Sequence, residues 1–226
     1  MNYLVVVAHP DDETLGAGGT IHKLALTGNT VDVCIMSSKV SVRAHRPADD
    51  ELLSDMNNAM DLIGVNQRYF GDFPNIKMNI VPHLELVQFI ESVIIESKPD
   101  VVITHHPSDV NNDHLCTSMA CQAAVRAFQR NPDLKPISEV WYMEVLSSTE
   151  WSLNTAENRF APNVYIEVEG AGIDKKIAAL NAYRDVMRPY PHPRSPEAIK
   201  SLSAYRGAQA GLNYAEAFEC VFRRIK

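Results

Sequence analysis

Two short stretches of the chain concentrate imidazole and carboxylate side chains. The first is His9-Pro10-Asp11-Asp12-Glu13. The second is His105-His106-Pro107-Ser108-Asp109-Val110-Asn111-Asn112-Asp113-His114. Each follows directly on an apolar run. Imidazole with carboxylate is a donor set for zinc or iron(II), and no thiolate is placed to join it. Two His and one Asp would make three protein ligands and leave one position open for water, the arrangement of a catalytic rather than a structural site. Taken singly, each stretch also has a plainer reading: Asp11, Asp12 or Asp113 caps a helix, and a strand-end histidine is a loop residue. Two such stretches in one chain favour the metal reading.

Those stretches need elements to bring them together. Tyr3–Ala8 is a Val-rich apolar run that reads as a strand buried on both faces. Thr14–Leu26 has helical spacing and closes at Gly28-Asn29, and Val31–Met36 is a second strand, so the chain opens with a βαβ unit. Ser37–Asp49 reads as a loop. Helices follow at Asp50–Ile63, Pro82–Glu96, Asn112–Gln129, Gly170–Met187 and Pro196–Gly207. Strands follow at Arg68–Phe70, Asp100–Thr104, Ile137–Met143 and Asn163–Val168, with an irregular stretch over 144–165. The alternation predicts an α/β fold: a single domain over 1–226 with a Rossmann-like, mostly parallel sheet and helices on both faces. In such a sheet, ligands bind outside the carboxyl ends of the strands, where both stretches lie.

Composition narrows the function classes. The 226 residues are 46% hydrophobic and 22% charged, with a net charge of −7, which excludes a disordered chain and a global basic field for nucleic acid. The N-terminal apolar run is too short for a signal sequence or a membrane span, so the expectation is a soluble cytoplasmic protein. Cys34, Cys116, Cys121 and Cys220 form no CxxC pair and read as free thiols. A dinucleotide site needs G-x-G-x-x-G between the first strand and helix. Here that turn holds carboxylates, which repel a pyrophosphate, and Gly16, Gly18 and Gly19 come later, where they permit close helix–sheet packing or approach of substrate. A serine hydrolase is excluded for want of G-x-S-x-G, and the Walker pattern is absent.

Ala8-His9-Pro10-Asp11-Asp12-Glu13 directly after an N-terminal strand resembles the signature of the LmbE-like, or PIG-L, zinc-dependent de-N-acetylases. Asp113-His114, after the Lys98–Pro107 strand end, resembles the family's second motif. The likeness extends to Tyr190–Ser195 and Tyr214–Phe218. The resemblance implies that His9, Asp12 and His114 bind zinc, or another divalent ion such as iron(II), and that Asp11 is the general base. It also implies removal of acetyl from an N-acetylglucosamine-type group on a small molecule or conjugate. The chain departs from the family at Asn111, where many members carry a His that stabilises the oxyanion or acts as acid. His192, between Pro191 and Pro193, is the candidate replacement, and Asn111 can still donate a hydrogen bond.

Amide hydrolysis agrees with this set. It needs a strong nucleophile, a stabilised oxyanion and a proton for the leaving amine. Asp11 can take the proton of water and return it to nitrogen. Arg43 and Arg46 in the loop after the second strand, together with Arg194, are candidate substrate cations, Arg46 ranking first. Tyr190 and Trp151 are candidates for stacking on a sugar ring. The alternatives are a metal amidase for another amide conjugate and a non-catalytic member that binds sugar or metal. A homo-oligomer is left open.

Overall fold

The apolar N-terminal run forms β1 (Asn2–Val7), an interior strand of the sheet. Its side chains alternate between two cores. Tyr3, Val5 and Val7 enter one apolar layer, while Leu4, Val6 and Ala8 enter the other. A strand apolar on both faces is stable only with helices on each side, and this is what the rest of the chain supplies. The computed structural model describes residues 1–39, 47–153 and 159–225.

Chain order after β1 is α1 (Asp12–Leu26), β2 (Thr30–Ile35), α2 (Asp49–Ile63), β3 (Arg68–Phe70), α3 (His83–Ser97) and β4 (Val101–His105). Then come α4 (Asn112–Ala124), β5 (Glu139–Met143), β6 (Val164–Glu167), α5 (Glu169–Ala182), α6 (Pro196–Ala210) and β7 (Ala215–Arg223). The first layer packs α1, α2, α5 and α6 on one sheet face through Leu15, Ile21, Met56, Met60, Leu180 and Ile199. The second packs α3 and α4 on the other face through Leu86, Ile90, Val93 and Cys121. Burying each large side chain contributes roughly 1.5–3 kcal/mol before chain entropy is counted.

The seven strands run in the order β3-β2-β1-β4-β5-β7-β6. β3, β2, β1, β4 and β5 are mutually parallel, and β7 is antiparallel to both β5 and β6. This is the expected mostly parallel α/β domain. Strand order reverses between β1 and β4, so the crevice of a doubly wound sheet opens beyond their carboxyl ends. His9 and the His105–His114 stretch emerge there.

Several boundaries differ from expectation. Helix α1 begins at Asp12 rather than Thr14, which puts Asp12 and Glu13 in its first turn. Helix α4 ends at Ala124 and α5 at Ala182, while α6 extends to Ala210. Strand β7 was not anticipated, because Glu216 and Glu219 interrupt its apolar pattern. It is nonetheless buried through Ala215–Phe218.

The α1 glycines serve packing. A Cβ on Gly16 would lie 2.4 Å from Met143 Sδ, and one on Gly19 would lie 3.0 Å from Val168 Cγ1. A buried ion pair is set against the middle of the same helix. Lys176 Nζ donates to Glu216 Oε1 at 2.6 Å and to Leu15 O at 2.7 Å. Glu216 also accepts from Gly19 N and Thr20 N at 3.0 and 2.7 Å. Among the described residues, no helix is long and apolar enough to cross a membrane.

Candidate metal centre

The turn from β1 into α1 is tight because Asp11 takes up the left-handed region at φ 89°, which aspartate tolerates better than most residues. That turn folds Asp12 back so that its Oδ2 accepts the His9 backbone N–H at 2.9 Å. The second stretch approaches through α4. Asn111 is the helix N-cap, and its Oδ1 accepts from Asp113 N at 3.0 Å. His114 therefore projects from the first turn of α4 towards Asp12, with 3.2 Å between Nε2 and Oδ2. His9 Nδ1 lies 3.5 Å from the same oxygen. One donor atom from each of His9, Asp12 and His114 falls within 4.8 Å of the others, and all three residues are buried. Ligand bonds of about 2.0–2.2 Å to one ion fit that spacing.

Each imidazole is oriented from behind. His9 Nε2 bonds Asp113 Oδ2 at 3.0 Å, and Asp113 also accepts from Ile76 N at 2.6 Å and Met78 N at 2.9 Å. His114 Nδ1 lies 3.1 Å from Asp109 Oδ2. Asp109 in turn accepts from Asn111 N and Thr149 Oγ1, both at 2.8 Å, and from Ser148 Oγ. Carboxylates behind ligating histidines fix the tautomer and raise ligand basicity. Sequence reading did not single out Asp109 or Asp113 for this task. Their only signal was the density of carboxylates in the stretch. His105 adds a third support. Its Nε2 accepts the Ala8 N–H at 2.8 Å, and its ring stacks on His114 with centroids 3.8 Å apart and planes 15° apart.

The electrostatics call for a cation. Burial opposes protonation of His114, yet the Asp12 charge and the hydrogen bonds His114 donates to Asp109 and Asp12 outweigh it and carry the pKa up to about 10. Burial likewise opposes ionisation of Asp12, but His114 and His9 hold its carboxyl well below the usual range. Burial and the neighbouring His114 charge push His105 down to about 3, so it stays neutral. A buried carboxylate cluster that draws a proton onto an imidazole is one that a divalent ion suits. Beside it, burial raises Glu13 to about 7, despite bonds from Thr14 Oγ1 and Tyr183 OH at 2.6 and 2.7 Å.

His9, Asp12 and His114 open onto a cavity of about 490 Å³. Its wall includes Asp11, Asn111 and Arg194 together with the three candidate ligands. Arg194 Nη1 lies 3.3 Å from Asp11 Oδ2, and its Nε donates to Ser147 Oγ at 2.7 Å. Asn75 also lines the cavity, and its buried Oδ1 has no hydrogen-bond partner among the described residues. Sequence reading missed Asn75, Ser147 and Ser148. His192 does not reach the cavity wall. It is exposed, and its Nδ1 accepts the Arg194 backbone N–H at 3.0 Å. Trp151 and Tyr190 are also exposed and do not line the cavity. Arg43 and Arg46 lie outside the described residues.

Comparison with known proteins places this geometry. The family described as PIG-L, GlcNAc-PI de-N-acetylase, matches residues 4–125. A curated relative from Nocardioides sp., a 1D-myo-inositol 2-acetamido-2-deoxy-alpha-D-glucopyranoside deacetylase, is 26% identical over 170 residues. That match covers 57% of this chain and only 56% of the relative. The solved N,N'-diacetylchitobiose deacetylase from Pyrococcus horikoshii superposes with TM-score 0.77 at 19% identity, covering 97% of this chain and 83% of that one. GalB from Pseudomonas putida, a 4-carboxy-2-hydroxymuconate hydratase, gives TM-score 0.76 at 22% identity, covering 100% of this chain and 98% of that one. Those two likenesses concern the fold, and a fold that holds a hydratase as well as deacetylases does not assign a reaction. The family match does more: with residues 4–125 of 226 inside it, the chain belongs to the PIG-L (LmbE-like) family of de-N-acetylases.

Proposed function

We propose that the protein is a metal-dependent hydrolase that removes an N-acetyl group from an N-acetylglucosamine-type amino sugar, free or in a conjugate. The observation that carries this reading is the convergence of His9, Asp12 and His114 with Asp11 and Arg194 on one cavity. The two related deacetylases act on amino-sugar compounds, which supports the same substrate class here. His9, Asp12 and His114 would hold the ion. Zinc is our choice, and iron(II) suits the same donors. Bound there, a divalent ion polarises the amide carbonyl and acidifies water.

The remaining steps belong to the chain's own side chains. Water oxygen bonds to the acetyl carbon while its proton passes to Asp11. The C–N bond then breaks as Asp11 delivers that proton to nitrogen, giving acetic acid and the amine, which part as acetate and ammonium once the second water proton moves from the acid to the amine. Arg194 holds Asp11 in place and, being always charged, stabilises the tetrahedral oxyanion. Asn111 adds its Nδ2–H as a neutral donor, because its Oδ1 is engaged in capping α4. One such donor is worth roughly 3 kcal/mol in the transition state. His192 acts behind Arg194, by fixing the backbone from which the guanidinium extends. The four thiols are unpaired, the state they keep in a reducing compartment, so we place the enzyme in the cytoplasm.

The test is a screen of acetylated amino sugars, free, nucleotide-linked and glycoside-linked, following amine release by the zinc-loaded protein. Release from at least one class, abolished in His114→Ala, is the expected result. Hydrolysis confined to amides without a sugar would replace the substrate class. No release from any amide, with the ion bound, would make the protein a binding member of its family.

A further inference from the structure

Two side chains on the cavity wall are at odds with the polar floor beneath them. Ile76 is 52% exposed and Val110 is 60% exposed, and both line the cavity that holds the candidate ligands. Neither belongs to an apolar core. Ile76 also has φ 58°. A β-branched residue in the left-handed region is an outlier that Gly or Asn would relieve. Strain of this kind persists only where the surroundings hold it, here through the Ile76 N–H bond to Asp113, and it clusters at functional sites. Both residues have stiff χ1 angles, so the apolar surface they present is already ordered.

Their placement is tied to the candidate metal ligands. Ile76 donates its backbone N–H at 2.6 Å to Asp113, the carboxylate that orients His9. Val110 directly follows Asp109, the carboxylate that orients His114, and the Asn111 N–H returns to Asp109 at 2.8 Å. A group gripped by these two side chains is held in fixed register with the reacting centre. Binding energy from a non-reacting part of the substrate is then available to orient the scissile amide.

We propose that Ile76 and Val110 form an apolar lip for an alkyl or aryl group carried by the amino sugar, so that the preferred substrate is such a glycoside and not the free sugar. This rests on the deacetylase reading above. The test therefore measures binding as well as turnover. Calorimetry on the zinc-loaded protein compares methyl, hexyl and phenyl N-acetylglucosaminides with the parent and with the Ile76→Ser/Val110→Ser double variant. The parent is expected to bind the hexyl or phenyl glycoside at least about 10-fold more tightly than the methyl glycoside. The double variant is expected to bring that ratio below about 3-fold. The kcat/KM ratios should move in parallel. A second variant, Ile76→Gly, removes the side chain and the strain together, and should melt no lower than the parent while its preference falls. Equal affinity for methyl and hexyl glycosides in the parent, or a preference that survives the double variant, overturns the lip. If the methyl glycoside is hydrolysed in that case, the deacetylase reading stands alone. A lip-dependent preference in binding without hydrolysis of any glycoside would instead overturn the deacetylase reading.

Discussion

Removing the Asp113 carboxylate should weaken the metal site without touching a ligand. Asp113 has a fully buried side chain that receives three donors: His9 Nε2, Ile76 N and Met78 N. Asp113→Ala leaves the His9 ring free to rotate and to change tautomer. Partners of this kind are typically worth 10–100-fold in metal affinity, or about 1.4–2.7 kcal/mol. It also leaves the buried Met78 N–H unpaired, at about 1–3 kcal/mol, and the partly buried Ile76 N–H, at less. In a protein of this size, each kcal/mol lowers Tm by roughly 2–4 °C. Asp113→Asn keeps an oxygen for His9 and Ile76 but turns an NH2 towards Met78 N, so it should lose less of both. Zinc affinity is measured by competition with a chromogenic chelator, and Tm is measured on metal-free protein. Lys176→Met is the control, since it disrupts a buried pair beside α1 with no contact to the ligands. If Asp113→Ala bound zinc within about 3-fold of the parent while its Tm fell, Asp113 would be a loop clamp and the orientation argument would fail.

Three further outcomes are expected. Asp11→Asn should keep stoichiometric metal by elemental analysis and lose about 10²–10⁴-fold in kcat, because an amide cannot take the proton of water; loss of the metal would make Asp11 a ligand instead. Arg194→Met should lower kcat by about 10²-fold with little change in KM, whereas His192→Ala should stay within a few-fold; the reverse order would return the oxyanion role to His192. Lys176→Met should cost about 3–5 kcal/mol in chemical denaturation, because it strands the Glu216 carboxylate against α1, and a Lys176→Met/Glu216→Leu double variant should be less destabilised than the sum of its parts.

The parts of this fold that were legible are those where one physical signal dominates. β1, β2 and β4 are short apolar runs bounded by polar turns, and burial on both faces leaves them no competing reading. The helices were legible from spacing, but their ends were not, because end positions depend on partners. Asp12 could be read as lying before α1 or inside it until Asp11 was seen in the left-handed region. β7 was not legible, because Glu216 looks like a solvent-facing residue. It is buried, paired with Lys176 and bonded to two backbone N–H groups of α1. In the site, the two stretches stood out because each follows a strand end, and the choice of His9, Asp12 and His114 within them came from the family resemblance. Asp109 and Asp113 did not, since an Asp beside a helix start reads first as a cap, and the cap proved to be Asn111.

The segment Pro191-His192-Pro193-Arg194 shows why residue type alone could not choose between neighbours. Both His192 and Arg194 have the chemistry to stabilise an oxyanion, and prolines on either side of His192 suggest a fixed direction. They do not say which way it faces. In the folded chain, the 189–195 turn is closed by His192 N to Pro189 O at 3.1 Å and Ser195 N to His192 O at 3.0 Å. That geometry turns the imidazole back onto the Arg194 N–H and sends the guanidinium to Asp11 and Ser147. Position 111 is constrained in the same way. Its side-chain oxygen caps the start of α4 and its backbone N–H holds Asp109, so both tie it to the support of His114. On the proposed reading, a neutral amide can serve there because Arg194 brings the charge to the same cavity. Under that proposal, the departure at Asn111 and the arginine at 194 become two halves of one oxyanion site, divided between a helix cap and a proline-framed turn.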